Sequence, residues 1–257
     1  RRAAVRTRLT MPGVTRRRRW LRGIAIGLGT LIVVAVVGIV VYSQVGVMGA
    51  EPEPLAAVRE DPAIVYTDDA AAVVLTPAEN ADGSGLVFVP GAKVTAEAYA
   101  SKLSGIVEGG TTVVITKPWL NLAFFDLRPL STFTDLAPDV ESWAVGGHSL
   151  GGVKACQFAN DADALVLFAS YCANDLSASG IPVLSLAGEE DGLSTPQKIA
   201  DAAHLLTADT EFVEIPGASH ASFGDYGPQP GDGTPTISDT DMRDILTADL
   251  ESFLPRP

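Results

Sequence analysis

Residues 146–152 read Gly-Gly-His-Ser-Leu-Gly-Gly. This run constrains the fold more than any other part of the chain. It holds the pattern G-x-S-x-G at Gly147–Gly151, with an apolar run before it (Ser142-Trp143-Ala144-Val145) and an Ala-bearing helical stretch after it, 150–160. A serine in that strand–turn–helix setting sits on a sharp bend, where the flanking side chains must be tiny. Gly147, Gly151 and Gly152 meet that need. The bend lifts the hydroxyl above the sheet and sets it at a helix N-terminus. There the helix dipole and free N–H groups favour developing negative charge.

Short apolar runs alternate with helical ones on both sides of the bend. Residues 63–67 and 71–76 read as an opening pair of strands, 85–89 as a fully apolar strand, 112–116 as a buried one, and 164–169, 182–187 and 211–215 as further strands. Helices are expected over 94–107, 194–206 and 238–253, with a loop and one helix in 117–139. The pattern predicts an α/β fold, a mostly parallel central sheet with helices on both faces. Ligand sites in such sheets lie beyond the carboxyl ends of the strands, so the residues just after each strand are the candidates.

A serine hydroxyl attacks well only when a base takes its proton. The chain has three histidines. His148 adjoins Ser149 in the bend and should point elsewhere, and His204 lies mid-helix as a packing or surface residue. His220 follows the last expected strand in a glycine-bearing loop, which makes it the candidate base. Its orienting carboxylate is expected at Asp191, in the loop after 182–187, with the adjacent Glu189 and Glu190 as substitutes. The order Ser149…Asp191…His220 agrees with the bend and the strand order. An oxyanion needs N–H donors. One is expected from Leu150, the other from Gly91 or Ala92 after the strand 85–89, with Gly91 permitting close approach of the substrate.

The N-terminal region is of a different kind. Residues 1–22 carry nine Arg and no acidic residue, and no charged residue follows until Glu51. The stretch from Gly23 to Tyr42 is nearly all Ile, Val, Leu, Ala and Gly. About 20 such residues span a bilayer core, whereas a signal's apolar core is about 7–15. The expectation is a cytoplasmic Arg-rich segment over 1–22, a transmembrane anchor over 23–47, a polar linker over 48–62 and the catalytic domain over 63–257. The domain then lies outside the cell membrane by the positive-inside rule. A cleavage-like stretch, Val47-Met48-Gly49-Ala50, is the competing signal-peptide reading. Beyond residue 22 stand nine basic and 31 acidic residues, a net charge of −22. Such a domain should repel nucleic acid, which is excluded as a partner, and anionic lipid head groups.

Cys156 and Cys172 are the only cysteines. Outside the cytoplasm they can form a disulfide, and equally they can be buried thiols. No phosphate loop, dinucleotide fingerprint or metal-ligand cluster stands in the sequence, so no cofactor and no metal are expected.

Four stretches carry a resemblance. They are Val89-Pro90-Gly91-Ala92-Lys93-Val94, Pro118…Asn121-Leu122-Ala123, the run 146–152, and Ser219-His220…Phe223-Gly224-Asp225-Tyr226-Gly227. Together they resemble the compact "α/β hydrolase fold-5" group of the α/β-hydrolase superfamily, in the style of dienelactone hydrolases, over roughly residues 63–253. The resemblance implies a hydrolase with a Ser-Asp-His triad and implies little about substrate. Dienelactone hydrolases use a Cys nucleophile where this chain has Ser149, so lactone chemistry does not carry over.

Only residues 170–181 separate two strands where many such enzymes insert a helical cap, so an open site is expected. Trp119, Phe124 and Tyr226 are the candidate substrate contacts, and small acyl esters fit an open site better than long lipids. The expected function is that of a membrane-anchored serine hydrolase cleaving carboxylic esters or related acyl compounds. Two alternatives remain. One is acyl transfer to envelope components, and the other is a non-catalytic tethered binding protein on the same fold. Oligomeric state is not legible in the sequence.

Overall fold

The computed structural model describes the backbone of residues 13–257 and the side chains of residues 18–257. Most of the expected Arg-rich segment, residues 1–12, lies outside the described residues. The chain divides into two units, one up to Val45 and one from Gly46 to Pro257.

The first unit contains the helix α1 (Gly13–Gln44). Residues 18–44 have a mean hydropathy of 2.9 in their most apolar window. At 1.5 Å per residue, 27 residues make about 40 Å of helix, enough to cross a hydrocarbon core of about 30 Å.

The second unit begins earlier than expected. Residues 48–62 are not a free linker: Met48 forms a parallel bridge with Val94, and Pro52–Glu60 is a helix, α2, with Val58 buried. Two prolines suggest a stalk. Pro52 and Pro54 fall in the first turn, where N–H groups have no helical partner, so neither costs a hydrogen bond. Leu55 and Val58 then pack against the domain core.

The remaining elements are β1 (Ile64–Asp68), β2 (Ala72–Pro77), β3 (Ser84–Val89), α3 (Ala100–Glu108), β4 (Thr112–Thr116), α4 (Ser131–Thr134), β5 (Ser142–His148), α5 (Leu150–Phe158), β6 (Ala164–Phe168), β7 (Val183–Gly188), α6 (Pro196–Ala202), β8 (Glu211–Ile215) and α7 (Asp239–Phe253). The expected helix over 94–107 is split, with a 3-10 turn at Ala96–Tyr99 preceding α3. Thr195 caps α6 and Ser238 caps α7, each through a side-chain oxygen that accepts a backbone N–H.

The strands form one eight-stranded sheet in the order β1-β2-β4-β3-β5-β6-β7-β8. The pairs β1/β2 and β2/β4 are antiparallel and the rest are parallel. Alternation along the strands feeds two cores. Leu86, Phe88, Val166 and Phe168 face one side with Leu103 and Leu246, and Val87, Val89, Leu165 and Leu167 face the other with Ala155 and Phe158. Between β6 and β7 there is no inserted helix. That connection carries Cys172, which is disulfide-bonded to Cys156 of α5.

Candidate active site

Sheet register sets the site. Val89 of β3 stands beside Gly147 of β5, so the loop after β3 and the bend after β5 leave the sheet side by side. Gly188 of β7 stands beside Ile215 of β8, which puts the Asp191 and His220 loops together in the same way.

Ser149 has φ +53° and ψ −122°, a conformation that costs a non-glycine residue about 1–3 kcal/mol. The surroundings hold it there. Its N–H donates to the Phe168 carbonyl at 3.0 Å, and its carbonyl accepts the Ser170 hydroxyl at 2.6 Å. A Cβ on Gly151 would overlap the Val89 and Pro90 carbonyls, so only glycine lets α5 approach the end of β3. Ser149 is half-buried and reachable from solvent.

His220 and Asp191 are brought together. His220 Nδ1 lies 2.8 Å from Asp191 Oδ2, and both side chains are buried. The other carboxylate oxygen, Oδ1, accepts the N–H groups of Leu193 at 2.8 Å and Ser194 at 2.7 Å. Asp191 is therefore fixed at both oxygens and holds the imidazole by Nδ1, leaving Nε2 to exchange a proton. The His220 ring sits 4.5 Å from that of His148, the residue before Ser149, which places it at the bend. Glu189 accepts the Gly217 N–H and Glu190 is exposed, so neither stands in for Asp191. His204 is exposed, with Nδ1 2.9 Å from the Asp201 carbonyl.

The loop after β3 corrects one expectation. The Gly91 N–H donates to the Tyr99 hydroxyl at 2.9 Å and is unavailable to an oxyanion. A Cβ on Gly91 would lie 2.9 Å from His148 Nδ1 and 3.1 Å from the Tyr99 hydroxyl, so the glycine serves interior packing and not substrate approach. The Ala92 and Leu150 N–H groups have no acceptor among the described residues. Leu150 opens α5, where the dipole adds to its pull on an anion.

His148 is buried beneath this loop. Tyr99 accepts from the Gly91 N–H, and its hydroxyl lies 2.9 Å from His148 Nδ1. Burial and, next, the neighbouring His220 hold His148 well below the usual histidine range, with the His220 backbone opposing weakly. It is neutral at pH 7 and adds no charge against a protonated His220.

Asp232 is a participant the sequence did not single out. Its Oδ1 accepts from Gly192 (3.1 Å), His220 (3.0 Å) and Gly233 (2.7 Å), and its Oδ2 from Ala221 (2.8 Å). It clamps the Asp191 loop to the His220 turn. Burial pushes its pKa up, but the N–H donors of Ala221, His220 and Gly192 outweigh that and hold it below the ordinary value. The only signal in the sequence is an Asp between Gly231 and Gly233, which also reads as a plain turn.

Of the expected substrate contacts, Trp119 and Phe124 are exposed. Tyr226 is not one: it is buried in the core against Tyr99 and His148, and its hydroxyl bonds to Gln229. A hollow of about 270 Å³ between α6 and β8 contains none of these residues.

The fold and the bend define an α/β protein built around a serine at the end of a central strand. A family model described as "Alpha/beta hydrolase family" matches residues 85–244, and the chain belongs to that family, as its resemblance implies. The chain is also similar in fold to a solved structure, a "predicted CIB-like hydrolase" from Thermoplasma acidophilum. The TM-score is 0.53 at 12% identity, covering 74% of this chain and 97% of that one. No curated protein matches the chain in sequence.

Proposed function

We propose that the protein is a membrane-anchored, extracytoplasmic serine hydrolase that cleaves carboxylic esters or related acyl compounds. The observation that carries this reading is the His220–Asp191 pair, held at the bend that presents Ser149. Ser149 Oγ attacks the acyl carbon as His220 Nε2 takes its proton, and Asp191 stabilises the imidazolium. The Leu150 and Ala92 N–H groups receive the oxyanion. His220 then protonates the leaving alcohol. Water, deprotonated by the same imidazole, releases the acid from Ser149.

The apolar helix α1, preceded by Arg residues, supports an anchor with its N-terminal side in the cytoplasm. The Cys156–Cys172 disulfide suits the oxidising side of a membrane. The test is turnover of p-nitrophenyl butyrate by the full chain in detergent, beside Ser149→Ala and His220→Ala. Activity lost in both variants supports the reading. Activity that survives Ser149→Ala would refute it.

A further inference from the structure

The chain leaves α1 at Gln44, and by Met48 it is already part of the second unit. The Met48 N–H donates to the Lys93 carbonyl at 2.7 Å, and the Thr95 N–H donates to the Met48 carbonyl at 3.0 Å. Lys93 directly follows Ala92, and its own N–H donates to the Asn121 carbonyl at 2.8 Å. One residue therefore ties the chain coming from α1 to the oxyanion loop and to the loop 119–127. Four residues of fully extended chain reach about 14 Å. If α1 is the anchor, the chain between it and Met48 is too short to form a long stalk.

The loop at that mouth is apolar. Trp119, Phe124, Phe125 and Leu127 are 50%, 58%, 42% and 79% exposed. Outside α1, the other exposed large apolar side chains among the described residues are scattered singly: Val45, Val65, Tyr171 and Phe212. Scattered ones need no explanation, whereas four within nine residues mark a contact surface. Lys93, Lys117, Arg128 and Lys154 lie in or against the same loops and are four of the nine basic residues beyond residue 22; Lys117 pairs with Asp68, Arg128 with Asp126, and Lys154 lies over the Phe158 ring. Aromatic and leucine side chains beside basic ones are the composition of segments that seat in a lipid interface.

We propose that loop 119–127 seats in the interface of the membrane that holds α1, and that the site takes its ester from that bilayer. The substrate class is an acyl ester carried by a membrane-resident amphiphile. This rests on the anchored-hydrolase reading and replaces the expectation of small soluble esters.

The test uses the full chain in phosphatidylcholine vesicles containing acyl-brominated lipid, which quenches nearby tryptophan. Trp20 of α1 reports insertion, and comparison of wild type with Trp119→Phe isolates Trp119. Seating predicts a quenched component that disappears in Trp119→Phe. An inserted Trp20 with no quenchable Trp119 would overturn the proposal, and an uninserted Trp20 would overturn the anchor and the proposal with it. In a second arm, Phe125→Ser/Leu127→Ser is compared with wild type on dioleoylglycerol in vesicles and on soluble p-nitrophenyl butyrate. The expected result is a loss of about tenfold or more on the vesicle ester alone. Unchanged vesicle turnover, or equal loss on both esters, would overturn it. An inactive wild type with Trp119 quenched would instead refute the hydrolase reading and leave the seated loop standing.

Discussion

Removing the Asp232 carboxylate should damage both stability and the active geometry. Asp232→Ala leaves four N–H groups, those of Gly192, His220, Ala221 and Gly233, without their acceptor. A hydrogen bond to a charged group contributes about 1.5–3 kcal/mol where water is excluded. Asp232 is half-buried, so water replaces part of the loss and solvent screens the charge, leaving about 3 kcal/mol in all. For a domain of this size that is a fall of about 6–12 °C in melting temperature. The four donors come from both loops of the Asp191–His220 pair, and a misplacement of about 1 Å there costs about a hundredfold in rate. The assay is thermal melting alongside the second-order rate of fluorophosphonate labelling at Ser149. The expected slowing is about 10- to 100-fold. The pH dependence has a definite sign. The folded pKa of Asp232 lies below its usual 3.8, so its contribution is fully present above about pH 4 and is lost as pH falls through the folded value. The melting gap between wild type and variant should therefore be constant near neutrality and close under acid. A variant that labels at the wild-type rate, or a gap that persists unchanged to pH 3, would refute the clamp.

Three further predictions follow from buried partners. Tyr99→Phe removes the acceptor of the Gly91 N–H and the hydrogen-bond partner of His148 Nδ1; it should cost about 1–3 kcal/mol in denaturant unfolding and lower kcat more than it raises KM. Lys102 is buried between Asp225 and Asp239 at 2.8 Å from each, so Lys102→Met should cost about 3–5 kcal/mol at pH 7. The Lys102→Met loss should shrink on acidification, because burial already raises the pKa of Asp225 and protonation removes its unpaired charge. Replacing Cys156 and Cys172 by Ala opens a cross-link across a sequence separation of 16 and should cost about 3 kcal/mol, read in the same unfolding assay.

The inner strands β3 and β4 were legible because each is a short apolar run closed by a breaker. Gly85–Val89 stops at Pro90-Gly91, and Thr112–Thr116 lies between Gly109-Gly110 and Pro118. The bend was legible because three glycines at fixed offsets have no other economical use. The structure departs from the sequence reading where a side chain serves an interior partner. Gly91 has the composition of an oxyanion loop, but its N–H turns inward to Tyr99, eight residues on, and no local pattern encodes that. Tyr226 follows His220 closely enough to suggest a substrate contact, yet the chain folds it back under His148. Asp232 shows no periodicity, and its role exists only once β7 and β8 bring two loops together. The prolines of residues 51–54 read as a linker because composition alone does not show that they fall in a helix's first turn.

The most direct test of the central claim is fluorophosphonate labelling of the full chain in detergent, with the modified peptide located by mass spectrometry. Activation of Ser149 by His220 and Asp191 predicts one adduct, on Ser149, absent in Ser149→Ala and strongly slowed in His220→Ala and Asp191→Asn. A folded wild-type protein that takes no label, or an adduct on another residue, would contradict it.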